Sequence, residues 1–193
     1  VDSLKLGAFE FLQKPFSSER LINFINRAVE NVLLKKEKRA LESKLFHSYD
    51  IVGQSQEIAK IKDLITKLAS TESRIFISGP AGSGKELIAR QIHKQSSRSN
   101  KPFVVVNGAL LDPQKYELEL FGSENTNETK NYGFFEKAKD GTLLIDEVTE
   151  IPLETQAKIL RVLIDQKFRR VNGSSEINVN VRIISTSSKN IRE

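Results

Sequence analysis

Gly79-Pro80-Ala81-Gly82-Ser83-Gly84-Lys85 is the stretch that decides how this chain folds. It follows the short apolar run 74–78 and precedes 86–93, whose apolar spacing predicts a helix. Glycines at these positions let successive backbone N–H groups turn inward on phosphate oxygens with no Cβ in the way. The helix behind them aims its positive end at the same anion. Lys85 then supplies a point charge for the β and γ phosphates. One residue departs from the usual pattern: Glu86 stands where a magnesium-binding Ser or Thr normally follows. A glycine-rich turn with a chance lysine is the bland reading, and the strand before and helix after it argue against that.

The second signal lies about sixty residues further on. Gly141-Thr142-Leu143-Leu144-Ile145-Asp146-Glu147 reads as an apolar strand ending in two acids. Such a strand delivers carboxylates to the edge of a sheet beside the phosphate loop. Asp146 there would hold the shell of a magnesium ion through water, and Glu147 would act as general base on the attacking water. Taken alone, an apolar run ending in Asp-Glu is an ordinary strand exit. Adjacent acids also speak against a GTPase, whose corresponding motif is Asp-x-x-Gly.

Around these two motifs the pattern alternates. Ile58, Ile61, Ile65 and Leu68 mark a helix; 103–107 is a valine-rich strand, 155–164 a helix and 181–185 a last strand. Residues 168–171 and 177–179 read as a hairpin about Asn172-Gly173. Alternation of this kind predicts an α/β fold with a parallel sheet between helices. Upstream, residues 9–12 read as a strand before a Lys14-Pro15 turn. From Ser18 onward Leu21, Ile25, Ala28, Val29 and Val32 fall at helical spacing, and the helix is expected to run to about residue 46. Leu34, Leu41 and Leu45 give a weak heptad, read either as a coiled-coil connector or as a solvated linker helix.

Composition narrows the classes. The 193 residues contain no cysteine, which excludes disulfides, thiolate zinc sites and a cysteine nucleophile. The two histidines, His47 and His93, are far apart, which argues against a histidine metal centre. No apolar run approaches the roughly twenty residues of a membrane span. The net charge of +5 comes from interleaved charges, and is read as a solvated face or as mild affinity for nucleic acid. A first residue of Val1 and the absence of methionine predict a piece of a longer protein.

From residue 51 to 193 these motifs resemble the AAA+ ATPase domain (sigma-54 interaction type) of the NtrC family of bacterial response regulators. The stretches that carry the resemblance are Ile51-Val52-Gly53-Gln54-Ser55, the phosphate loop with Glu86, Glu119-Leu120-Phe121-Gly122, 141–147, and Arg169-Arg170-Val171-Asn172-Gly173. Glu86 is typical of that family. Upstream, Gly7-Ala8-Phe9-Glu10-Phe11-Leu12-Gln13-Lys14-Pro15-Phe16 resembles the last strand of a phosphoreceiver domain. The resemblance implies three parts: the C-terminal end of a receiver over 1–30, a connector helix over 31–48, and an AAA+ ATPase domain over 49–193. It implies ATP bound by Ile51 and Val52 at the adenine and by Gly79, Pro80, Ala81, Gly82, Ser83, Gly84, Lys85 and Glu86 at the phosphates. It also implies Mg2+ near Asp146, Asn107 restraining the catalytic Glu147, and receiver roles for Lys14 and Phe11. Asn107 equally reads as a strand-end cap.

Two stretches depart from the family. Where a sigma-54 contact loop Gly-Ala-Phe-Thr-Gly-Ala is usual, residues 123–132 read Ser-Glu-Asn-Thr-Asn-Glu-Thr-Lys-Asn-Tyr, a polar loop without an apolar anchor. That loss resembles the NtrX-like branch and implies no sigma-54 contact. Ser187-Ser188 occupy the positions of a sensor threonine and asparagine, so Ser188 is expected to orient water or phosphate with a shorter reach than an amide. The family's arginine fingers, lid and DNA-binding domain are expected beyond Glu193, so ATP hydrolysis by this chain is expected to be very slow. The implied partners are a sensor histidine kinase, DNA through the further domain, and other copies of the chain. Copies would form a dimer through the connector or a six- or seven-membered ring, in the bacterial cytoplasm. A nucleotide site kept only as an oligomerisation scaffold is the alternative.

Overall fold

The computed structural model describes residues 50–124 and 130–190, and upstream 18–33 apart from 20, 24 and 31. The chain divides into two units, Val1–Asp50 and Ile51–Glu193, each taken by itself. In the first, every described residue of 18–33 is helical, as the apolar spacing predicts. Leu21, Ile25, Val29 and Val32 of that set are exposed. The strand at 9–12, the positions of Phe11 and Lys14, and the helix's continuation to 46 lie outside the described residues.

The second unit opens with α1 (Gln56–Ala69), whose N-cap Ser55 accepts the Ile58 N–H at 3.3 Å. Its Ile65 and Ala69 are buried. Then follow β1 (Ile75–Ser78), α2 (Lys85–Lys94), β2 (Phe103–Asn107), α3 (Tyr116–Phe121), β3 (Ser123–Glu124) and β4 (Lys130–Asn131). After them come α4 (Phe134–Lys137), β5 (Thr142–Asp146), a 3-10 turn Val148–Glu150 and α5 (Leu153–Asp165). The chain closes with β6 (Lys167–Arg169), β7 (Glu176–Asn178) and β8 (Arg182–Ser187).

Four strands form one parallel sheet in the order β1-β8-β5-β2. β5 lies inside it, and Leu143, Leu144 and Ile145 are fully buried. Side chains on a strand alternate between faces. Leu143 and Ile145 therefore join one apolar cluster with Leu120, Phe121, Phe135, Ile159 and Val162 from α3, α4 and α5. Leu144 joins the other, with Ile65, Ala89 and Ile92 from α1 and α2. The predicted sheet between helices is present, with helices on both faces.

The hairpin about Asn172-Gly173 is also present, β6 pairing antiparallel with β7 and Phe168 opposite Ile177. The interval read as a polar loop is structured at both ends: β3 and β4 pair antiparallel, Ser123 opposite Asn131. Residues 125–129 lie outside the described set. Glu124 N–H donates to the Val171 carbonyl at 3.1 Å, and Val171 N–H to that of Gly122 at 3.0 Å. Arg170 adds a two-pronged bond to Glu136, at 2.8 and 2.6 Å, and lies over the Tyr132 ring.

His93, on α2, is 3% exposed and bonded to the Thr142 hydroxyl at 2.9 Å. Burial pushes its pKa down to about 4 from 6.5; Arg182, Arg90 and Arg98 act the same way, and the Lys101 backbone pulls against them. Between those values the unfolded chain binds a proton that the folded chain refuses. The stability linked to His93 is thus complete above pH 6.5 and lost as pH falls to about 4. The loss should be on the order of 3 kcal/mol. Urea midpoints of the chain and of His93→Gln, measured from pH 7 to pH 4, should converge towards acid as the variant loses this part of the slope.

Candidate nucleotide and acid-pair site

β1, β5, β2 and β8 all end at one edge of the sheet, and the residues after them meet there. The turn after β1 needs a left-handed backbone, and Gly82 and Gly84 supply it with φ of 75° and 89°. Gly84 caps α2, so the helix begins at Lys85 itself. Gly79 N–H reaches the Ser187 carbonyl at 3.2 Å, which fastens the loop to the end of β8. Lys85 is 7% exposed. Its ammonium donates to the Gly79 and Pro80 carbonyls at 2.9 and 3.2 Å and pairs with Glu147 Oε1 at 3.2 Å. Glu86 turns along its own helix to Arg90, at 2.6 Å.

The acid pair is held from both neighbouring strands. Asn107 stands opposite Asp146 in the β2–β5 register, and its amide donates to Asp146 Oδ2 at 2.8 Å. The expected restraint of Glu147 by Asn107 is therefore absent: the register points the amide at the neighbouring acid. The Asn107 side-chain oxygen accepts the Ala109 N–H at 2.9 Å. From β8, the fully buried Thr186 donates its hydroxyl to Asp146 Oδ1 at 2.6 Å and accepts the Glu147 N–H at 3.0 Å. Gly108 permits this crowding, since a Cβ there would lie 2.6 Å from the Glu147 carbonyl oxygen.

Glu147 adopts a left-handed backbone, φ 52° and ψ 53°, which swings it off the strand line. Ser188 donates both its N–H and its hydroxyl to Glu147 Oε2, each at 2.8 Å. Burial pushes the Glu147 pKa up, but the two Ser188 donors and Lys85 outweigh it and hold the carboxyl below its ordinary value. Ser188 therefore touches the glutamate. Ser187 bonds the Thr149 hydroxyl instead, at 3.0 Å.

The structure brings together Lys85, Asn107, Asp146, Glu147 and Ser188. Ile51 packs against the α1–α2 cluster, whereas Val52 is 91% exposed. Thr186 is the functional position that the motifs missed. Among the described residues no group of three or more His, Cys, Asp or Glu surrounds a metal position. Nor is any described helix long and apolar enough to cross a membrane.

A glycine loop, an inward lysine and a strand-end acid pair on a parallel sheet define a P-loop nucleotide-binding domain of the AAA+ class. Residues 51–193 match the family described as the sigma-54 interaction domain, and the chain belongs to it. The nitrogen assimilation regulatory protein NtrX of Azorhizobium caulinodans is 42% identical over the whole chain, which covers 42% of that protein. A crystal structure of NtrX from Brucella abortus superposes with a TM-score of 0.79 at 45% identity, over 99% of this chain and 42% of that one. The same protein in complex with ATP gives 0.76 at 45% identity, over 99% and 43%. The chain thus spans about two fifths of the length of these relatives.

Thr186→Val keeps the shape but strands Asp146 Oδ1 and the Glu147 N–H. It should cost about 1–3 kcal/mol, the usual penalty for a buried group left without its partner. A urea titration against the parent chain measures it.

Proposed function

We infer that this chain is the ATP-binding part of a two-component response regulator of the NtrX kind, one that controls transcription without the usual sigma-54 contact motif. The observation that carries this reading is the convergence of Lys85 with Asp146 and Glu147 at the end of the sheet. The ATP complex of the Brucella NtrX supports it.

Each residue then has a task. The Gly79–Gly84 backbone and the α2 end cradle the phosphates, and Lys85 exchanges its pairing with Glu147 for the β and γ phosphate oxygens. Val52, beside Ile51, is exposed and open to an adenine ring. Asp146 fits a magnesium ion held through water: Thr186 and Asn107 fix its two oxygens, and each oxygen keeps a free lone pair. With Glu86 in place of a hydroxyl and no cage of acids among the described residues, the ion would take its other ligands from phosphate and water. When bound, it would neutralise charge on the phosphates. Glu147 takes the proton of the attacking water.

On this reading a sensor histidine kinase phosphorylates the receiver, copies of the chain assemble through the connector or as a ring, and DNA is bound by another domain, in the bacterial cytoplasm. The receiver end, connector and ATPase follow one another as 1–30, 31–48 and 49–193. A site retained only as a scaffold is the second reading. It draws on the engagement of Lys85 by Glu147 and two carbonyls, and it predicts that Lys85→Ala leaves assembly intact.

Thermal melts with and without Mg-ATP test nucleotide binding. At a hundred times its dissociation constant, ATP should add about 2.7 kcal/mol and raise the melting temperature by several degrees. The shift should vanish in Lys85→Ala, and no shift at millimolar ATP would defeat the reading. Interval 123–132 offers no apolar tip, so the chain should not retain sigma-54 in a pull-down. Replacing the interval with Gly-Ala-Phe-Thr-Gly-Ala is the change expected to introduce binding.

A further inference from the structure

A cleft of about 790 Å³ opens between α5 and the β6–β7 hairpin, and none of the residues that line it belongs to the nucleotide and acid-pair site. That volume falls in the range of pockets that take small organic ligands. Strand alternation divides its lining into two parts. Phe168 is buried and joins Phe121 and Val162 in an apolar floor, while its neighbours Lys167 and Arg169 fall on the exposed face of β6.

The rim is charged, and its charges do not balance. Lys158 is claimed by Glu117 and Glu154, Arg170 by Glu136 and Glu124, and Arg161 by Asp165 at 3.6 Å. Lys167 and Arg169 have one carboxylate between them, Glu176, each at 3.2 Å. Lys167 first, and Arg169 after it, hold the Glu176 carboxyl below its ordinary pKa, so it is ionised at neutral pH. The β6 side of the cleft thus carries one uncompensated positive charge beside an apolar floor.

We propose that this cleft binds a small organic carboxylate with an aromatic or alkyl body, the body on Phe168, Phe121 and Val162 and the carboxylate sharing Lys167 and Arg169 with Glu176. The site stands apart from the nucleotide reading and does not depend on it. A monoanion matches the single surplus charge. A phosphate ester would bring nearly two negative charges towards Glu176, Asp165 and Glu117, more than the surplus neutralises. An exposed ion pair adds little by itself. Burial of the body therefore supplies the affinity, and the cations supply the preference for an acid over a neutral analogue.

Phenylbutyrate is the probe, with phenylbutanol as its neutral counterpart and acetate as the charge without the body. Each is titrated into the isotope-labelled chain at constant ionic strength, and amide chemical shifts are followed by NMR. Phenylbutyrate should bind with a dissociation constant on the order of 1 mM, as so few non-hydrogen atoms allow. The amides of Lys167, Phe168, Arg169 and Glu176 should shift. The alcohol should bind about fivefold more weakly, the upper range for one exposed ion pair, and acetate more weakly still. Lys167→Gln combined with Arg169→Gln should abolish the preference for the acid. Glu176→Gln, which leaves both cations to the ligand, should tighten the acid by a few-fold and leave the alcohol unchanged. Equal binding of acid and alcohol by the parent chain, a preference that survives the double variant, or no tightening in Glu176→Gln overturns the proposal. So do shifts centred on other residues, or no saturable shift from either compound at roughly ten times that concentration.

Discussion

The pairing of β5 between β2 and β8 is the constraint on which the rest of this structure depends. Leu143, Leu144 and Ile145 have no solvent-facing side, so the strand can sit only where both faces are covered and both edges are paired. Slipping its register by one residue would exchange the two apolar clusters and place each side chain on the wrong face. The register that satisfies the core also sets Asn107 opposite Asp146 and brings Thr186 beside the acids. The geometry of the acid pair is thus a by-product of where aliphatic side chains are buried. Its precision is that of a core.

The charges follow the same logic. Asp146 is fixed by neutral donors on two sides and is not paired to a cation in its contacts with Asn107 and Thr186. Glu147 shares Lys85 with the loop carbonyls and draws its remaining donors from Ser188. Two adjacent acids therefore differ in their surroundings: one is bonded from the strands on either side, while the other sits on a left-handed residue beyond the strand end.

Much of this was legible in the amino-acid order. The phosphate loop and β5 carry local signals: glycines where φ is positive, and an apolar run closed by acids. The 103–107, 155–164 and 168–179 readings succeed for the same reason, since each depends on neighbours in sequence. Thr186 was not legible, because its role comes from β8 lying beside β5, a pairing that no local pattern announces. The assignment of Asn107 to Glu147 failed on register, which a one-residue difference decides. Helices α3 and α4 span six and four residues, too short for a periodicity to show. The polar interval 123–132 hid β3 and β4 because each strand is two residues long, too short for an alternating pattern to show.

That interval is joined to the acid-pair end by contacts that can be followed residue by residue. The Tyr116 hydroxyl, at the start of α3, donates to the Gly108 carbonyl at 2.7 Å, next to Asn107 and the Glu147 backbone. At the other end of α3, Phe121 stacks on Phe135 and meets Phe168. Gly122 then bonds Val171, and Arg170 reaches Glu136. A path of contacts is not by itself a switch; it needs an element with two arrangements. The Tyr116, Arg170 and Val171 bonds along this path show one arrangement. Lys85 does have two calls on its charge, the Glu147 carboxylate and an entering phosphate. It is the residue at this edge through which an entering phosphate would first act on the acid pair.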